Sequence, residues 1–135
     1  KEIAFAISKG INFIDIYSSN PDLRSNIGTA LTGCREQFII QGHLCSTWED
    51  GQYLRTRDIA KTIAAFDELL LRLKTDYLDI GMIHYVDSES DFYEVLDGPV
   101  LQQAEQWKKE GRIYHIGLSS HNPTVARLAV ERLTY

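Results

Sequence analysis

At 135 residues the chain has the length of one ordinary domain, and its net charge of −5, with Lys and Arg scattered, argues against a nucleic-acid surface. A hydrophobic fraction of 44% beside 24% charged residues belongs to a globular protein in water, and no apolar run is long enough to span a bilayer. Cys34 and Cys45 are too few for a disulfide framework and match no zinc or iron–sulfur spacing, so free thiols in a reducing cytoplasm are expected.

The chain starts at Lys1 without Met or leader, inside an expected helix, which places the natural start upstream. Lys1 to Ser8 reads as a short helix with Ile3, Ala6 and Ile7 on its apolar face, stopped by Gly10. Ile11 to Tyr17 reads as a buried strand. Asn20-Pro21 opens the next helix as N-cap and first helical residue. Its inner face is Leu23, Ile27, Ala30 and Leu31, and Gly33 closes it. Gln37 to His43 is a second strand, and Ser46 to Arg55 a polar loop. Arg57 to Lys74 has the clearest helical period, through Ile59, Ile63, Phe66, Leu70 and Leu73.

Tyr77 to His84 is nearly all apolar, as expected of a strand covered on both faces. An acidic connection, Tyr85 to Asp97, leads to a helix from Pro99 to Glu110. There Val100, Ala104 and Trp107 point inward and Gly111 is the stop. Arg112 to Ser119 is the fourth strand, and Asn122-Pro123 opens a last helix with Val125, Leu128 and Ala129 inward. No linker divides residues 1–135, so they read as one α/β domain segment, α-(βα)×4. Such a pattern suits a small open sheet or about half of a closed (β/α) barrel. No strand is followed by G-x-G-x-x-G, which argues against a dinucleotide-binding sheet.

In either architecture chemistry belongs at the C-terminal strand ends. Those ends carry Asp15 and Tyr17; Gln41, His43 and Cys45; His84, Tyr85 and Asp87; and Ser119, Ser120 and His121. Strand parity puts Asp15 with Tyr17 on one side, and His43 with Cys45. His84 continues the column of Leu78, Ile80 and Met82. Asn20 and Asn122 read as caps, Trp48 and Trp107 as packing, and Cys34 as inert.

Several segments carry a family resemblance in order and spacing across the whole chain. They are Gly10-Ile-Asn-Phe-Ile-Asp15, Ile27-Gly-Thr-Ala-Leu31, Leu73-Lys-Thr-Asp-Tyr-Leu-Asp79 running on to Ile83-His84, and Glu110-Gly-Arg-Ile-Tyr-His-Ile-Gly-Leu-Ser119. Together they resemble the aldo-keto reductases. The resemblance implies a partial (β/α)8 TIM barrel, with this chain as its second to fifth strands and the remaining barrel strands as its partner. It also implies reduction of a small carbonyl substrate by NADP(H) or NAD(H). By match to the family, Asp15 is the catalytic Asp, His84 the substrate-orienting His and Ser119 a nicotinamide contact. Ser120 follows it where Asn is common.

Two positions depart from the family. Asn20 stands where the proton-donating Tyr is usual, and His43 where its Lys is. Tyr17 could serve as the acid instead. His43, protonated beside Asp15, could supply the missing positive charge, and His43 or His84 could donate the proton directly. The runs Ser19-Asn-Pro-Asp-Leu-Arg24, Gln41-Gly-His-Leu-Cys45 and Ile83-His-Tyr-Val-Asp87 resemble a branch with a C-terminal ferredoxin-like iron–sulfur segment, whose cluster would lie beyond Tyr135. Two other readings stay open: a binding or regulatory barrel without turnover, and a metal site built from His43, Cys45, His84, His121 and Asp15.

Overall fold

A computed structural model describes residues 2–132; Lys1, where the first expected helix begins, lies outside them. In chain order the elements are α1 (Glu2–Ser8), β1 (Phe13–Ile16), α2 (Pro21–Ala30), a 3-10 turn (Arg35–Gln37), β2 (Ile39–Leu44), β3 (Ser46–Glu49) and β4 (Gln52–Arg55). Then follow α3 (Ile59–Leu73), β5 (Leu78–Ile83), α4 (Glu89–Asp97), α5 (Pro99–Lys109), β6 (Ile113–Leu118) and α6 (Pro123–Arg132).

Four strands pair in parallel in the order β1-β2-β5-β6. That order follows the chain without reversal, whereas a doubly wound sheet reverses at a switch point. Coverage is one-sided as well. The helix-facing side is packed: Phe66, Leu69 and Leu73 of α3 join Ile40, Leu44, Ile83, Ile113 and Trp107 in the core. Gly42 is required there, because a Cβ on it would meet the side chains of Leu78 and Leu69 within 2.9 Å. On the other side Phe13 and Ile39 are exposed, and Ile80 and Met82 are half-buried. In a closed barrel that second side lines the interior. The apolar run of β5 thus has one covered face, not two.

Where structure and sequence reading differ, the cause is local. The polar stretch Ser46 to Arg55 is a hairpin, β3 paired antiparallel with β4. Its turn is Asp50-Gly51, with φ of 51° and 79°. Tight hairpins need positive φ at both central residues, and Asp-Gly supplies it. The residues look loop-like because β4 is exposed along its whole length. The acidic connection holds α4, capped by Ser88 Oγ, which accepts from Asp91 N–H at 3.1 Å. Glu89 and Asp91 suit the positive end of that helix, and Phe92 and Val95 bury its other side.

In α2 the expected inward Leu23 is exposed and Arg24 is buried instead. The Arg24 guanidinium reaches Glu68 Oε2 at 3.0 Å and Ser18 O at 3.1 Å. Burial pulls its pKa below the ordinary arginine value, with Glu68 opposing. The second strand starts at Ile39, two residues later than expected, since Gln37 ends the 3-10 turn. Leu78 leaves the His84 column, lying instead against Gly42 on the helix side.

The tightest helix contact is at Gly28 of α2. A Cβ there would collide with Arg72 O and sit 2.8 Å from Leu73 Cα. Gly28→Ala should therefore destabilise the fold by roughly 1–3 kcal/mol, through overpacking. Urea unfolding would show this as a lower midpoint at constant slope; an unchanged midpoint would mean α2 and α3 part without cost.

Candidate active site at the strand ends

Parallel register brings the C-terminal ends of four strands together, and their polar side chains meet there. Asp15 of β1 stands beside Gln41 of β2. Asp15 Oδ1 accepts from Gln41 Nε2 at 3.0 Å and contacts His43 Nε2 at 3.1 Å. His43 is 8% exposed. Its other ring nitrogen, Nδ1, lies 2.7 Å from His84 Nδ1, with the rings edge to face. Ser119 Oγ is 3.5 Å from the same His84 nitrogen and accepts from Tyr85 N–H at 2.8 Å.

These distances constrain the protons. A carboxylate only accepts, so His43 Nε2 carries the hydrogen toward Asp15. Two Nδ1 atoms at 2.7 Å have one proton between them, because two would collide and none would leave facing lone pairs. Burial pushes the His84 imidazolium down to about 4, and His43, Arg57, Arg55 and His121 add to the effect. His84 is therefore neutral at neutral pH, whichever nitrogen holds its proton.

The backbone at this rim is strained. Cys45, directly after β2, has φ 64°, and Tyr85, directly after His84, has φ 59°. Each costs about 1–3 kcal/mol and persists only where its surroundings enforce it. Thr56 N–H donates to Cys45 O at 2.9 Å, closing the hairpin onto that turn. The hairpin brings Tyr53 against the edge of His84, with ring centroids 5.6 Å apart. Burial raises the Tyr53 phenol above its ordinary value. Tyr85 lies between His84 and His121, at 5.5 and 4.6 Å.

The expected site residues separate into two groups. Asp15, His43, His84 and Ser119 form one connected cluster. Tyr17 is 66% exposed and takes part in no hydrogen bond of that cluster. Ser120 turns to Asp87, donating to Oδ1 at 3.2 Å, and Asp87 also holds His121 Nδ1 at 3.1 Å. Asn20 is a helix cap, its Oδ1 accepting from Asp22 and Leu23 N–H. Cys45 is buried, and desolvation raises its thiol pKa against the opposing charge of Arg57. Both cysteines are free thiols. Among the described residues no three His, Cys, Asp or Glu are grouped to hold a metal, and no helix is long and apolar enough to cross a membrane.

Sequence reasoning missed Arg57 and Tyr53. The Asp-Gly turn was the available signal for Tyr53, since it predicts a hairpin folding back over the strand end. Nothing in the local pattern distinguishes Arg57 from a solvated charge.

Residues 2–134 match the Aldo/keto reductase family, and the chain belongs to it. The chain is 30% identical over 131 residues to the uncharacterized oxidoreductase YqkF of Bacillus subtilis (strain 168), covering 94% of this chain and 41% of that protein. Among solved structures, aldo-keto reductase AKR11C1 from Bacillus halodurans in its holo form superposes with a TM-score of 0.79 at 27% identity, over 94% of this chain and 42% of that one. An aldo/keto reductase from Klebsiella pneumoniae, solved with NADP and acetate, shares the fold at TM-score 0.68 and 21% identity, over 94% of this chain and 40% of that one. The chain thus spans under half the length of these relatives. Its parallel sheet and helices correspond to part of the aldo-keto reductase barrel.

The depressed His84 value gives a stability prediction. Unfolded, His84 takes up a proton near 6.5; folded, it does so only near 4, so the unfolded state binds more protons in between. Stability is therefore expected to fall as pH drops from about 6.5 to about 4. Thermal melts across that window would test it, with His84→Asn losing less stability than the parent; parallel losses would show that His84 is not the source.

Proposed function

We propose that this site reduces the carbonyl group of a small substrate, with His84 as the proton donor, His43 as its proton supply and Asp15 as the anchor of His43. The single observation carrying this is the 2.7 Å Nδ1–Nδ1 contact, which makes the two histidines one proton-sharing unit. With His43 as the imidazolium, its Nε2–H points to Asp15 and its Nδ1–H to His84 Nδ1. His84 then carries its own hydrogen on Nε2 and can donate it to a substrate oxygen. As that proton leaves, His84 takes the His43 proton at Nδ1, and His43 ends neutral with Nε2–H on Asp15. Charge moves along the chain without leaving a bare anion or a doubly charged pair.

A reduced nicotinamide, when bound, supplies the hydride that the carbonyl carbon gains. Ser119 suits its carboxamide: the hydroxyl oxygen already accepts from Tyr85 N–H, and its own hydrogen has only the 3.5 Å approach to His84. Ser120, engaged with Asp87 and Asn122, would act by ordering the loop. NADP(H) is the preferred form, since the Klebsiella relative was solved with NADP. The choice between it and NAD(H) is decided by titrating both. If an iron–sulfur segment of the resembled branch feeds the site, neither nucleotide alone will support turnover.

Tyr17 is the rival acid, and single substitutions separate the two. His84→Gln and His43→Ala should each lower kcat by about 10²–10⁴, the usual worth of a positioned acid, while Tyr17→Phe stays within about twofold. The assay is NADPH-dependent reduction of an aldehyde and ketone panel, under anaerobic conditions. A collapse with Tyr17→Phe and indifference to His84→Gln would transfer the role to Tyr17. Tight nucleotide binding without turnover would favour the binding-barrel reading.

A further inference from the structure

The hydrogen bonds of Arg57 take no part in the relay, yet they converge on its acid. Beyond Ile83, where the β2 and β5 pairing ends, the chain still has polar groups to satisfy. The amide hydrogens find neighbours in the sheet: His84 N–H donates to Leu44 O, Tyr85 N–H to Ser119 Oγ and Val86 N–H to Ser119 O. The carbonyls of His84 and Tyr85 do not, and Arg57 reaches both. Arg57 Nη1 donates to His84 O at 2.9 Å, and Arg57 Nη2 donates to Tyr85 O at 3.2 Å. The same guanidinium is fixed in plane by Asp91, with Nε to Oδ1 at 2.8 Å and Nη2 to Oδ2 at 2.7 Å. Both side chains are close to nine-tenths buried. Arg55 reinforces the arrangement, reaching Asp91 Oδ2 at 2.8 Å and Tyr85 O at 3.3 Å.

We propose that Arg57, clamped by Asp91, is a positioning residue for the reaction: it holds the left-handed turn at His84-Tyr85 so that His84 stays seated against His43. This rests on reading His84 as the proton donor. A forked, planar cation is needed, since one ammonium cannot span two carbonyls and both carboxylate oxygens. Asp91 matches the role. Burial favours its neutral form, but the hydrogen bonds and charge of Arg57 outweigh that and keep it ionised. Arg57 also faces His84 as a fixed positive charge, alongside His43 of β2, Arg55 of β4 and His121 after β6. Tyr53 and Tyr85 are the neighbouring phenols. No carboxylate contacts the His84 ring directly among the described residues, so this environment opposes a second charge on it.

The test uses the full chain with Arg57→Lys, Arg57→Gln and Asp91→Asn, each checked for folding by circular dichroism. Kinetics with NADPH and histidine NMR titrations are the readouts. Arg57→Lys keeps the charge and loses the fork; kcat should fall about tenfold or more with KM little changed, as for a misplaced catalytic group. Asp91→Asn, which keeps Arg57 but loosens its plane, should fall in the same direction. In Arg57→Gln the His84 midpoint should rise from about 4 toward 6.5, moving the acid limb of the rate profile with it. Wild-type kcat in Arg57→Lys would overturn the proposal. So would a folded Arg57→Gln whose activity drops while the His84 midpoint stays put, because that marks a structural brace only. Should Arg57→Gln fail to fold, Arg57→Lys and Asp91→Asn decide. Parent protein without turnover would refute the reductase reading itself, and the His84 midpoint in Arg57→Gln then settles the Arg57 claim alone.

Discussion

One proton shared between His43 and His84 is the constraint on which the rest of the site depends. The two rings come from β2 and from the residue directly after β5, neighbouring strands whose register sets the backbone distance between them. Once their Nδ1 atoms stand 2.7 Å apart, the protonation of each ring dictates that of the other. Asp15 fixes the far end by accepting from Nε2 of His43. In the family pattern a lysine would put a permanent charge near a tyrosine acid. In the proposed reaction the charge would sit on a group that can itself give up its proton, and the acid would be a second imidazole held neutral by burial and surrounding cations.

The fold serves that pair by enforcing an unfavourable backbone at both strand ends. Cys45 and Tyr85 adopt left-handed φ just beyond the strands that deliver the histidines. The hairpin of β3 and β4 closes over the first turn, with Lys61 tying Glu49 to α3 at 2.9 Å. Ser119 and the Arg57–Asp91 pair secure the second. Surface pairs such as Arg127–Glu131 contribute little by comparison. The left-handed turns and the Arg57–Asp91 pair lie beside His84, which is where a catalytic site tolerates strain.

Much of this was legible in the residues. Helical period marked α3, apolar runs marked β2 and β5, and Asn20-Pro21 marked the start of α2, because each signal is set by local chemistry. Asp15, His43, His84 and Ser119 were legible for a different reason: they are polar residues at strand ends that the family resemblance singled out, and the common rim brings them together. What escaped needed tertiary context. Arg24 rather than Leu23 turns inward because Glu68 on α3 neutralises it, a pairing between residues far apart in the chain. The reach of Arg57 to Asp91 depends on α4, read as a connection because its polar residues outnumber its inward Phe92 and Val95. Tyr17 shared parity with Asp15, but beyond the end of β1 parity no longer constrains where a side chain goes.

The most direct test of the central claim is the charge and tautomer of His84, read by nitrogen-15 NMR on histidine-labelled protein from pH 8 down to pH 4, with His84→Gln for assignment. The expected result is a His84 ring that stays neutral until about pH 4, with one ring proton on Nε2 and an accepting Nδ1. A His84 ring that becomes an imidazolium near the ordinary histidine value of 6.5, with no sign of a shared Nδ1 proton, would contradict it.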